Sequence, residues 1–208
     1  MLTRDTPQHF WDNSLPRSKG VIRIPKVQFI NIENVVASVK INQKIDLTKI
    51  VRSDPTAEYD PEQFPGLVYR LDEPKTATLI FSSGRMVCTG GKSVEEVHKA
   101  VNKIVEELKE MGVLRDNAEP EIEIQNVVAS ASLGAELDLE LAAYTLPDVM
   151  YEPEQFPGLI YRMKEPRVVI LLFTTGKLVI TGAKKEEYVR TAVEKLLRTL
   201  EENGIIRE

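Results

Sequence analysis

Apolar and polar positions along the chain follow two periods, and the whole succession occurs twice. Phe29–Ile41 is rich in β-branched residues and reads as a strand, with Val35, Ala37 and Val39 on one side and Asn34, Val36 and Ser38 on the other. A short helix is predicted over 46–52, where Asp46 meets the positive end of the helix dipole. Short strands are predicted over 67–71, 77–81 and 85–89, the last two joined by a Ser83-Gly84 turn. The period then lengthens to that of a helix, with Val94, Val97, Val101, Ile104, Val105 and Leu108 in one stripe. Ser93 and Glu96 form a capping box ahead of it, and Gly112 closes it.

From Ile32 to Val113 the chain repeats itself at a constant offset of 92 residues, with roughly four in ten aligned positions identical. Ile32-Glu33-Asn34-Val35-Val36-Ala37-Ser38 returns as Ile124-Gln125-Asn126-Val127-Val128-Ala129-Ser130. Glu62-Gln63-Phe64-Pro65-Gly66-Leu67 returns unchanged as Glu154-Gln155-Phe156-Pro157-Gly158-Leu159. The second helical stripe is Val189, Val193, Leu196, Leu197 and Leu200, ending at Gly204. Two copies are too few for a solenoid and suit a pseudo-two-fold pair sharing one sheet. The expected organisation is a tail over 1–20, flexible or disordered and holding the single tryptophan Trp11, then repeats over 21–115 and 116–208. The fold class is α+β.

Two long helices can cover only one face of such a sheet. The other face would display Val36, Leu79, Phe81, Val87 and Thr89, with Val128, Leu171, Phe173, Val179 and Thr181 from the second copy. An apolar surface of that extent marks a binding site; the alternative is a sheet covered on both faces. Phe64 and Phe156 sit in Pro/Gly turns between charged residues, an awkward place for core side chains. Each either folds back into its own loop or stands as one of two symmetric wedges.

Composition then narrows the classes. The single cysteine, Cys88, cannot form an internal disulfide and reads as a buried structural thiol on the helix-covered side. No apolar run reaches the roughly 18 residues of a membrane span, and the N-terminus lacks a signal-peptide core, so the expected location is cytoplasmic and nucleoid-associated. His9 and His98 have no second ligand at metal spacing, and the Asp60/Glu62 carboxylates have no nearby base or nucleophile. Thr89-Gly90-Gly91-Lys92 lacks the spacing of a phosphate loop and reads as a turn. No catalysis, metal or cofactor is expected. The formal net charge of −5 counts against nucleic acid, since phosphate binders show a basic footprint.

The doubled N-V-V-A-S, Y-[DE]-P-E-Q-F-P-G-L and L-[IL]-F-[ST]-[ST]-G-[KR] segments resemble the TATA-binding protein family over roughly residues 22–205. An F-P-G turn in both halves and the acidic total resemble its archaeal members. The resemblance implies a saddle: one curved antiparallel sheet with two long helices on its convex face. It implies a general transcription factor that binds the TATA box in the minor groove, the mode for which this family is the type example. On that pattern Phe64 with Phe81, and Phe156 with Phe173, would insert between base steps, with Pro157 beside the second pair. Asn34 and Asn126 would donate to minor-groove acceptors, next to Ser38 and Ser130. Val36, Leu79, Val87, Thr89, Val128, Leu171, Val179 and Thr181 would pack on the groove floor. Arg70, Arg85, Arg162 and Lys177, joined by Lys92 and Lys184, would meet phosphates, so that apolar burial and a few rim cations answer the charge objection. A·T preference follows, because an apolar floor cannot satisfy the exocyclic amino group that G·C adds, which costs about 1–3 kcal/mol. The implied partners are double-stranded promoter DNA, transcription factor B at Glu152, Glu154 and Gln155, and the RNA polymerase pre-initiation complex. Free protein would be expected to pair into a homodimer through its apolar face. The acidic turn also reads simply as a solvated loop. Two other readings remain: a duplex-binding module without promoter preference, and a protein-interaction module on the same apolar saddle.

Overall fold

The computed structural model describes residues 27–207; the tail assigned to 1–20, with His9 and Trp11, lies outside them. Its elements run β1 (Phe29–Ile41), α1 (Leu47–Ser53), β2 (Gly66–Asp72), β3 (Lys75–Phe81), β4 (Arg85–Gly91) and α2 (Val94–Glu110) in the first half. The second half runs β5 (Pro120–Ser132), β6 (Glu136–Leu137), α3 (Leu139–Thr145), β7 (Val149–Met150), β8 (Leu159–Met163), β9 (Val168–Leu172), β10 (Lys177–Ala183), α4 (Glu186–Glu202) and β11 (Ile206–Arg207). Nine strands form one antiparallel sheet in the order β2-β3-β4-β1-β5-β10-β9-β8-β7, so the two repeats join along β1 and β5 at its centre. The result is the saddle, an α+β fold of two repeats on one sheet. A separate ladder of β11 with β6, not anticipated from sequence, ties the end of the second repeat to the approach to α3.

Alternation decides the core. Val35, Ala37 and Val39 of β1, Ile80 of β3, and Met86 and Cys88 of β4 are buried, and Val127, Ala129, Ile170, Leu178 and Ile180 repeat this in the second half. Against them lie Val97, Val101, Ile104, Val105 and Leu108 of α2, and Val189, Val193, Leu196 and Leu200 of α4. Each such side chain contributes about 1.5–3 kcal/mol when fully buried. Both helices end in the same motif. The N–H of Val113 donates to the Leu108 carbonyl (2.9 Å) and that of Ile205 to the Leu200 carbonyl (3.0 Å), with Gly112 and Gly204 at positive φ between.

Some local details depart from the sequence reading. Asp46 is the cap of α1 and not its first residue; its carboxylate accepts from the Lys49 N–H. Ser93 caps α2 by accepting from the Glu96 N–H, but the Glu96 carboxylate reaches one residue further back than a capping box requires, to the N–H of Lys92 (2.8 Å). Thr89, Gly90 and Gly91 belong to β4 and are not a turn. They carry a bulge, since β1 advances from Val35 to Ala37 while its β4 partner moves from Gly91 to Cys88.

Candidate nucleic-acid interface

The face opposite the helices is left uncovered among the described residues. In the first half Val68, Leu79, Val87 and Ser38 lie side by side across β2, β3, β4 and β1, and Arg70, Ala77 and Thr89 form the next row. In the second half the rows are Ile160, Leu171, Val179 and Ser130, then Arg162, Val169 and Thr181. At the centre Asn34 faces Val128 and Val36 faces Asn126. The apolar members are half-buried, flanked along their strands by buried neighbours except at Ile160, where Tyr161 is itself half-buried. Val68, Ala77, Ile160 and Val169 were missed from sequence. Carrying the two-residue alternation through β2, β3, β8 and β9 would have found them.

The central asparagines are held in one orientation. The Asn34 Oδ1 accepts from the Gly90 N–H (2.8 Å) and its Nδ2 donates to Thr89 Oγ1 (3.1 Å). Asn126 does the same with Gly182 (2.7 Å) and Thr181 (3.1 Å). The bulge supplies these N–H groups, and its Gly90 and Gly182 have φ of 104° and 91°, a region side chains rarely adopt. With its oxygen engaged, each amide retains an N–H donor on the open face, suited to a surface that shows only acceptors.

Each end of the face carries an aromatic pair. Phe64 meets Phe81 edge-on at 5.9 Å between ring centroids, and Phe156 meets Phe173 at 6.0 Å. Phe64 and Phe156 are still 43% and 38% exposed, so neither is folded away into its loop. The turns that present them are closed by the Phe64 N–H to the Asp60 carbonyl and the Phe156 N–H to the Glu152 carbonyl, both 2.9 Å. Gly66 and Gly158 lie under the pairs; a Cβ there would stand 2.6 and 2.7 Å from the Cε1 of Phe64 and Phe156. Pro157, Glu152, Glu154 and Gln155 are exposed around the second turn.

The rim is more acidic than expected. Arg85, Arg162 and Lys177 are exposed, but Arg70 pairs with Glu58 (2.9 Å), Lys92 with Glu33 (3.6 Å) and Lys184 with Glu123 (3.2 Å). Glu33 and Gln125 are the extra residues of two bulges between β1 and β5. The Ser130 hydroxyl donates to Glu33 (2.6 Å), and Gln125 donates to Ser38 Oγ (2.8 Å), so both serines are already engaged. The Ser130 hydrogen bond, with Lys92 nearby, holds the Glu33 carboxyl below the usual range; Lys184 and Gln125 do the same for Glu123. Glu121 and Glu123 also line a hollow of about 610 Å³ beside Phe81, Arg85 and Val87. Sequence reasoning missed these carboxylates because their partners lie far along the chain. His98 is half-buried on α2, and no cluster of metal-ligating side chains occurs among the described residues. No described helix is long and apolar enough to cross a membrane.

Comparison with known proteins agrees with this geometry. The model of the family "Transcription factor TFIID (or TATA-binding protein, TBP)" matches twice, over residues 29–111 and 121–203. A TATA-box-binding protein of Sulfurisphaera tokodaii is 54% identical over 188 residues, covering 90% of this chain and 94% of that one. One from Pyrodictium occultum is 58% identical over 177 residues, covering 85% and 88%. The solved structure of Methanococcus jannaschii TBP superposes with a TM-score of 0.75 at 52% identity, covering 83% of this chain and 98% of that one. With both repeats matched and relatives this similar along nearly their full length, the chain belongs to the TATA-binding protein family of DNA-binding transcription factors.

Proposed function

We propose that this protein binds the TATA box of promoters through the minor groove, bends the duplex by inserting its two phenylalanine pairs, and recruits transcription factor B and RNA polymerase. The observation that carries the reading is the doubled open face: an apolar floor, two locked amide donors at its centre and a half-exposed aromatic pair at each end. Apolar wedges unstack and kink a duplex, and the bend brings more of the apolar floor into contact with the groove. TA steps deform easily and A·T pairs present only acceptors, which suits Asn34 and Asn126 and the surrounding valines. Arg85, Arg162 and Lys177, all exposed, would meet phosphates directly. Arg70, Lys92 and Lys184 would first exchange a carboxylate for a phosphate. The second acidic turn, with Glu152, Glu154 and Gln155, is the proposed dock for transcription factor B, and free protein is proposed to pair through the same apolar face.

Energy transfer across a doubly end-labelled A·T-rich TATA duplex, against a G·C-rich control, tests the reading. A large change on the TATA duplex alone is expected, with Phe156→Ala and Phe173→Ala losing most of it while the fold remains intact. Binding without bending would instead favour a duplex reader without promoter preference, and no binding a protein-interaction role.

A further inference from the structure

Any residue that differs between the repeats breaks the pseudo-two-fold symmetry of the open face. Along its centre the repeats agree at Asn34/Asn126, Val36/Val128 and Ser38/Ser130. Beside these they part: Glu33 aligns with Gln125, and Asn31 with Glu123. All four lie on β1 and β5, where the repeats meet, and Glu33 and Gln125 are the bulged residues. Charge does not separate the halves, since each keeps one carboxylate beside its own lysine, Glu33 with Lys92 and Glu123 with Lys184.

What separates them is the direction of the hydrogen bond to serine. An ionised carboxylate only accepts, so Ser130 gives its single hydroxyl hydrogen to Glu33 Oε1, at 2.6 Å. Ser130 is left with lone pairs alone to present. Gln125 donates instead, with its Nε2 2.8 Å from Ser38 Oγ. Gln125 also bonds the Glu123 carboxylate, which again requires its N–H side. Ser38 therefore keeps its own hydrogen, and no acceptor takes it among the described residues. Ser38 stands in the row of Val87 and Leu79 over the first repeat, and Ser130 in the row of Val179 and Leu171 over the second. Phe81 and Phe173 follow Leu79 and Leu171 by two residues, so each serine row lies just inside an aromatic pair.

We infer that Glu33 and Gln125 are specificity-determining residues that make the two halves of the duplex site unequal: the half under Ser38 demands A·T, and the half under Ser130 admits G·C. The inference rests on the minor-groove reading above, and it sets which way round the protein lies on an asymmetric element. A·T pairs show only acceptors in that groove, and G·C adds the guanine amino donor. Over A·T, Ser38 donates, while Ser130 sets lone pairs against lone pairs. Over G·C, Ser130 accepts from the amino group. Ser38 can accept it only by turning its hydrogen away and giving up the bond it makes over A·T.

The test uses the whole protein and a palindromic A·T-rich duplex, on which both orientations are equivalent. One A·T pair is exchanged for G·C, then its symmetry mate as well, at each position between the centre and the end in turn. Affinity is read by titration and bending by energy transfer. Because the duplex is palindromic, both exchanges alter its deformability alike, and only the protein can tell the first from the second. For wild type, at the pair beneath the serines, the first exchange should weaken binding about two-fold, as the protein turns to put G·C under Ser130, and the second about ten-fold. Asn31→Glu/Glu33→Gln gives the first repeat the second repeat's residues at unchanged net charge, and should lose about ten-fold at each step. The reciprocal Glu123→Asn/Gln125→Glu, also neutral, should lose little at either; calorimetric melting checks that both variants fold. Equal losses at both steps for wild type at every position would overturn the inference, as would the same inequality persisting in Asn31→Glu/Glu33→Gln. If wild type neither binds nor bends the all-A·T duplex, the promoter reading falls and this inference with it.

Discussion

Replacing Gly66 or Gly158 with alanine tests whether the position of the phenylalanine pairs, and not merely their presence, sets the bend. The Cβ of Gly66→Ala would stand 2.6 Å from Phe64 Cε1 and 2.9 Å from Phe81 Cε1; at Gly158 the distances are 2.7 and 3.0 Å. Carbon atoms settle near 3.5–4.0 Å, so the nearer ring must retreat by about 1 Å. Phe64 is partly exposed and can move outward without striking the core. The loss is then mainly the edge-on contact, about 0.5–1.5 kcal/mol, or a fall of about 1–6 °C in melting temperature. DNA binding should suffer more, because opening a base step takes a few kcal/mol and a ring off the step recovers only part of it. About ten-fold weaker TATA binding, near 1.4 kcal/mol, is expected for either variant, with reduced energy transfer between the duplex ends. The effect of Gly66→Ala should fall by at least half in a Phe64→Ala background, where the nearer ring is gone. The reasoning fails if Gly66→Ala keeps wild-type affinity and bending while Phe64→Ala loses both, or if it acts equally in both backgrounds.

Three further outcomes are expected. Glu58→Gln frees Arg70 for a phosphate; because the pair is exposed, stability should move by less than about 1 kcal/mol, while duplex affinity rises and the salt slope steepens by up to about 0.9. Titrating the duplex at several salt concentrations checks this, and weaker binding would contradict it. Thr78→Val removes a buried hydroxyl that has no hydrogen-bond partner among the described residues, at a site where the second repeat has Ile170, and should stabilise by about 1 kcal/mol, seen as a higher calorimetric melting temperature. Burial and the hydrogen bond from the Tyr69 hydroxyl to Glu107 (2.8 Å) raise the Tyr69 pKa above its usual 10. The stability this contributes is complete below about pH 10 and declines as pH rises toward the folded-state value, because the unfolded chain releases the proton first. Absorbance at 295 nm should show one late-ionising tyrosine fewer in Tyr69→Phe than in the wild type, and the substitution should flatten the alkaline loss of stability.

Much of this protein was legible along the chain because its signals are local. Strand alternation in β1, the stripe of α2 and the Phe-Pro-Gly turns each occupy a few residues, and the duplication doubled every one of them. The open face was legible too, through the observation that two helices cover one side of a sheet. What remained hidden depends on groups that only folding brings together. The Asn34 amide is fixed by Gly90, 56 residues away, through a bulge that no sequence period announces. The approach of Phe64 and Phe81 to Gly66 follows from register between β2 and β3. The rim cations looked available because their carboxylates, Glu33 for Lys92 and Glu123 for Lys184, stand about sixty residues distant. Sequence therefore determined the elements and the faces they present, since backbone periodicity is a property of neighbours. Tertiary structure alone decided which donors are held, which charges are already paired and how close the aromatic rings stand, since those depend on register and side-chain reach between distant strands.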